Sequence, residues 1–85
     1  MTDPVQQFLS QVETEVSFAR QKFPDSDACM VALTEEVGEL AKALLSESLA
    51  NVYKEAVQVA AMAARVAIDG DPSLARYRHY HGPKP

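Results

Sequence analysis

Three carboxylates stand within five residues at Glu35, Glu36 and Glu39. On a helix, Glu36 and Glu39 share a face at i and i+3, and like charges at that spacing repel. Ala32, Glu36, Glu39 and Ala43 are spaced 4, 3 and 4, so the carboxylates lie in one stripe bracketed by small residues, without the lysines usual on a solvated face. Two readings stand side by side: a solvated acidic face, or a site for a hard divalent cation such as Mg²⁺, which takes carboxylate oxygens and keeps waters for substrate phosphates. Glu55 and Gln58 repeat the i, i+3 geometry further along, either as the edge of a buried helix or as a second half of the same cluster. Lys54, Arg65, Arg76 and Arg78 are plain surface charges or phosphate partners. Other chemistry finds less support. Both histidines lie near the C-terminus, so no Glu-x-x-His pair forms for a di-iron bundle. Cys29 has no histidine within helical reach and reads as a small buried hydrophobe. His79 and His81 flank Tyr80 in what reads as a surface tail, with a metal site there as the lesser option.

The elements that must position these groups are helical. Pro and Gly punctuate the chain at Pro4, Pro24, Gly70–Pro72 and Gly82–Pro85, and no strand-length alternation lies between them. Asp3 as N-cap and Pro4 at the first helical position predict a helix from about Pro4 to Lys22, ended by Pro24. Its Val5, Phe8, Leu9, Val12, Val16 and Ala19 make one apolar face; Gln7, Gln11, Glu13 and Glu15 make a surface face. A second helix starts near Asp25–Asp27, acids that suit a helix N-terminus, and runs to about Ser46–Ser48. Gly38 within it costs about 1 kcal/mol against Ala, which suggests close approach by another backbone or a ligand. A third helix runs from about Leu49 to Asp69, stopped by Gly70 and Pro72. Asn51, Lys54, Glu55, Gln58 and Arg65 occupy about a third of its circumference at 100° per residue, and the rest is apolar. Two companion helices cannot cover such a helix, so the spacing predicts a helical bundle completed by a second subunit. Antiparallel pairing of helices two and three across Ser46–Ala50 brings Glu36 and Glu39 opposite Glu55 and Gln58. Residues 72–85 form a separate segment, starting with at most a short helical turn and ending in a mobile Gly82-Pro83-Lys84-Pro85.

Composition narrows the function. The 85 residues carry a formal charge of -4 with a pI of about 5.0, against the profile of a nucleic-acid backbone binder. Residues 1–71 hold five basic and all twelve acidic side chains, whereas 72–85 hold Arg76, Arg78 and Lys84 with no acid. Three glycines leave no room for a Walker loop or dinucleotide fingerprint. The longest uncharged run of the third helix, Ala56 to Ala64, is short of the roughly 20 residues of a membrane span. Met1 is followed by Thr2, Asp3 and Pro4, not by a signal peptide, and one cysteine makes no disulfide framework. The expectation is a cytoplasmic domain without membrane or nucleic-acid partners.

The run Leu33-Thr34-Glu35-Glu36-Val37-Gly38-Glu39-Leu40-Ala41-Lys42-Ala43-Leu44 resembles the first motif of the MazG-like nucleotide pyrophosphohydrolases, Glu-Glu-x-x-Glu, which is followed on the next helix by Glu-x-x-Asp. Glu55-Ala56-Val57-Gln58 resembles the second, after 15 intervening residues (40–54), and the likeness extends over roughly residues 28–68. The resemblance implies an all-α fold of intertwined homodimers, often paired into homotetramers, with 1–71 as the family domain and 72–85 as a basic, aromatic tail. It implies Mg²⁺-dependent (or Mn²⁺-dependent) cleavage of a nucleoside triphosphate to monophosphate and pyrophosphate. Carried over residue by residue, Glu36, Glu39 and Glu55 would bind metal, with Gln58 where the family has Asp, and Glu35 would orient or activate the attacking water. Lys54, Arg76 and Arg78 would meet the phosphates. The Asp-to-Gln departure removes one negative charge from the site, which favours the alternative: a non-catalytic oligomer of the same fold, acting as a nucleotide-binding or protein-interaction module.

Overall fold

The computed structural model describes residues 3–81, without the side chains of Ala75, His79, Tyr80 and His81. The readings of a His79/His81 metal site and of a mobile 82–85 end therefore lie outside the described residues. Four helices follow one another: α1 (Pro4–Lys22), α2 (Cys29–Ser46), α3 (Leu49–Ile68) and α4 (Pro72–His81). There is no strand among the described residues, so the chain is all-α. No helix among them is long and apolar enough to cross a membrane.

Local chemistry sets most of the boundaries. The Asp3 carboxylate accepts from the Val5 N–H at 2.7 Å, with Pro4 opening α1. Ser48 Oγ accepts from Asn51 N–H at 3.3 Å to start α3. Gly70, at φ 78°, takes the left-handed conformation that closes a helix, its N–H reaching the Arg65 carbonyl at 3.1 Å. The connection between α2 and α3 is only Glu47 and Ser48, which folds them into an antiparallel hairpin. α1 also packs on α3, and among the described residues neither α1 and α2 nor α4 and any other helix pack together.

The expected start of α2 is corrected. It begins at Cys29 and not in the Asp25–Asp27 run, and Ala28 before it is left-handed, at φ 64°, with no capping side chain of its own. The cap comes from Asp71, whose carboxylate accepts from the N–H groups of Ala28 (3.1 Å) and Met30 (2.9 Å). The same carboxylate accepts from Ser73 N–H (3.1 Å) and from the Ser73 hydroxyl, so it caps α4 as well. With that cap and Pro72 behind it, the tail holds a ten-residue helix where the sequence suggested one turn. The expected close approach at Gly38 is absent within the chain: a Cβ there would meet nothing within 4 Å.

Arg65 is a further correction. It belongs to the stripe expected to be polar and exposed, yet only 2% of it is accessible. Its Nε donates to Asp69 at 3.0 Å and its Nη1 to the Ala19 carbonyl at 3.3 Å. Arg20 donates twice to the same Asp69, at 3.1 and 2.7 Å. Asp69 thus ties the end of α1 to the end of α3, and Arg65 has no free face for a phosphate.

The buried apolar residues are Cys29, Ala43, Val57 and Ala61, all small. Large ones stay outside: Leu44, Leu45, Leu49 and Ile68 are 65%, 87%, 85% and 70% exposed. The accessible surface is 6520 Å², against about 5,000 Å² for a compact monomer of this mass. The radius of gyration, 14.7 Å, likewise exceeds the roughly 12 Å of a compact domain of this length.

Asp69 and Asp71 are both held at about 2, Asp69 by hydrogen bonds from Arg20 and then Arg65, Asp71 by hydrogen bonds from Met30 N–H and then Ser73. Because the folded values lie below the ordinary 3.8, their contribution is present above about pH 4 and is lost as pH falls toward 2. Asp71→Ala is expected to lower the melting temperature by several degrees at pH 7, and Asp71→Asn by less, since one acceptor remains. In melts recorded from pH 7 to pH 2, the gap between parent and Asp71→Ala should narrow below pH 4. A constant gap would contradict the capping role.

Candidate functional site

The hairpin returns α3 along α2, so Glu36, three turns before the connection, meets Glu55, two turns after it. Glu36 is half-buried, and its carboxyl is raised above the ordinary 4.5. Burial is the main cause, followed by a hydrogen bond with Glu55 and then by the charges of Glu55, Glu39 and Glu35. Two carboxyl groups from separate helices therefore face each other, with two further carboxylates close enough to be felt. Glu35 and Glu39 are exposed on α2. Two like groups facing each other from separate helices resist full ionisation, which is the direction in which Glu36 is shifted.

The oxygen-only donor set of Glu36, Glu55 and Glu39 suits a hard cation, which would reverse the sign of the repulsion. Among the described residues, no three His, Cys, Asp or Glu side chains converge tightly enough to form a ready metal cage. What is assembled is a pair, with Glu39 on the next turn of α2.

Gln58 lies about 60° around α3 from Glu55. It is half-buried and lines a groove between α1 and α3 together with Lys54, Tyr53, Gln11 and Glu15. Lys54 is thereby placed in the groove, about 100° around α3 from Glu55. Arg76 and Arg78 are exposed on α4 and, among the described residues, form no ion pair. They are not brought to the acidic helices by any packing of α4 within the chain.

Comparison of the chain with protein-family models, with curated proteins and with solved structures finds no match.

The sequence reading missed the second wall of this groove. Gln11 and Glu15 were assigned to a surface face of α1, but Glu15 falls in the half-buried row with Val12, Val16 and Ala19. Its signal was present: Glu15 is i+3 from Val12 and i+4 from Gln11, at the border of the apolar face. Tyr53 escaped notice because an aromatic residue near a helix start is ordinarily packing. Here its ring is held by Phe8 in an edge arrangement, with centroids 5.6 Å apart.

A raised carboxyl contributes stability below its unfolded value, near pH 4.5, and that contribution is lost as pH climbs through the folded value. Glu36→Gln, which cannot ionise, is therefore expected to melt a few degrees higher than the parent at pH 7 in a chelator. The advantage should shrink below pH 4.5. An unchanged melting temperature at pH 7 would mean that the two carboxyl groups do not face each other.

Proposed function

We propose that the chain is a MazG-like nucleoside triphosphate pyrophosphohydrolase that works as a homodimer or homotetramer. The observation that carries this reading is the Glu36–Glu55 contact across the α2–α3 hairpin, with Glu39 acting on the same group. It is the juxtaposition that the two acidic motifs require if they are halves of one site.

In this reading, Glu36, Glu39 and Glu55, with the amide oxygen of Gln58, hold Mg²⁺ or Mn²⁺. Such an ion, when bound, polarises phosphoryl oxygens and lowers the pKa of a bound water. Glu35, exposed beside Glu36, orients the attacking water and accepts its proton. Water adds at the α-phosphorus, the bond from that phosphorus to the α–β bridging oxygen breaks, and pyrophosphate leaves with the bridging oxygen. Lys54 neutralises part of the leaving charge. Arg76 and Arg78 would add to it from α4 of a neighbouring subunit, since among the described residues α4 packs on no other helix.

Self-association is supported by the uncovered surface. The accessible area exceeds that of a compact monomer by about 1,500 Å², more than the roughly 800 Å² that each partner buries in a standard interface. Light scattering after size exclusion should give at least about twice 9.3 kDa; a monomer at micromolar concentration would contradict it.

Catalysis is tested by pyrophosphate release from a panel of nucleoside triphosphates with and without Mg²⁺. Mg²⁺ should also raise the melting temperature by mass action, and Glu39→Gln should remove most of that rise. Gln58→Asp restores an anionic donor and is expected to lower the Mg²⁺ concentration for half-maximal hydrolysis, or to confer hydrolysis if the parent has none. Nucleotide binding without hydrolysis in both would favour the non-catalytic module, a reading to which the absence of a ready three-residue cage among the described residues also lends weight.

A further inference from the structure

The α1–α3 groove is open to solvent and has a volume of about 260 Å³, below the roughly 300–1,000 Å³ of a whole small-molecule site but suited to one ring system. Its apolar side is built from Ala50, Val57 and Tyr53, whose ring stays 44% exposed. Gln11, Glu15, Lys54 and Gln58 line its polar side, and none of the four makes a side-chain hydrogen bond or ion pair among the described residues. Glu15 and Lys54 border one small groove without pairing with each other. Their hydrogen-bonding groups are open to water or to a ligand seated in the groove.

We propose that this groove is a nucleobase subsite that selects guanine, with Glu15 as the specificity-determining residue. The inference rests on the nucleotide reading above and specifies the base. Tyr53 offers a face for stacking, which every base can use and which therefore does not discriminate. Discrimination comes from the carboxylate. An ionised carboxylate only accepts hydrogen bonds, through two oxygens side by side. Guanine presents two adjacent donors, its ring N1–H and exocyclic N2–H, to such a pair. Uracil and thymine flank their single N–H with two carbonyl oxygens, which would face the carboxylate and repel it. The Gln11 amide can donate to the guanine O6, an acceptor. Lys54, the cation in the lining, would meet the phosphate of a nucleotide whose base is seated this way.

The test is calorimetric titration of the full chain in a chelator with guanosine, adenosine, cytidine and uridine 5′-monophosphates, which needs neither metal nor catalysis. The guanine nucleotide is expected to bind at least about tenfold more tightly than the uracil nucleotide. Glu15→Gln, checked for its helical content by circular dichroism, should bring the two within about threefold, while Glu15→Asp should keep the order. Equal affinities in the parent, no saturable binding at millimolar concentration, or a preference that survives Glu15→Gln would each overturn the proposal. The parent panel decides even where a variant does not fold. Pyrophosphate release then separates the two readings. A guanine preference in binding with no release would leave the subsite standing and remove the hydrolase. Release at equal rates from guanosine and uridine triphosphates, with equal monophosphate affinities, would do the reverse.

Discussion

One helix carries the packing of the other two. α1 and α2 both pack on α3 and, among the described residues, not on each other. A single helix serving two neighbours in a short chain leaves little room for a core, and the four buried apolar residues are accordingly a cysteine, a valine and two alanines. Their small size lets the helices approach closely but buries little area, and area is what hydrophobic stabilisation scales with. The outward faces that result, Leu44, Leu45 and Leu49 at the hairpin end among them, follow from the same shortage.

Polar ties compensate at the opposite end. Asp69 receives two guanidiniums, one from α1 and one from α3, and the buried Arg65 reaches on to the Ala19 carbonyl. Two residues later, Asp71 caps α2 and α4 together. A buried arginine is tolerable only when its donors are matched, and the pairing with Asp69 and Ala19 supplies this. The end of α3 is thus fastened by directional bonds, and the hairpin end by a two-residue connection. Between these fastenings lie both features of interest: the acidic contact on the α2 side of α3 and the groove on the α1 side.

The two sides differ in their chemistry for a reason of register. Successive residues on α3 turn by about 100°, so Glu55 and Lys54 diverge, one toward Glu36 and the other into the groove with Gln58. An acidic pair and a cation with two amides can then stand within one helical turn without neutralising each other. That separation is what a phosphate-bearing ligand needs, with its charge meeting lysine while the carboxylates remain available for a cation.

The sequence alone was enough for the helices whose ends are coded locally. Asp3-Pro4 and Pro24 bracket α1, Ser48 opens α3, and Gly70 ends it; each acts through a neighbour within a few residues. The antiparallel α2–α3 pairing that sets Glu36 opposite Glu55 was legible too, because a short connection returns the second helix along the first; Gln58, expected in the same cluster, lines the groove toward α1. What tertiary structure decided depends on residues far apart in the chain. The start of α2 is set by Asp71, more than forty residues on, so the acids at 25 and 27 misled as to its first turn. Arg65 looks like surface charge on a wheel and is buried because α1 ends beside it. Glu15 looks like part of a solvated face and lines a groove because α1 lies along α3 at that height. Periodicity reports which residues share a face, but the direction a face points, and the partners a charge finds there, are set only when another helix arrives.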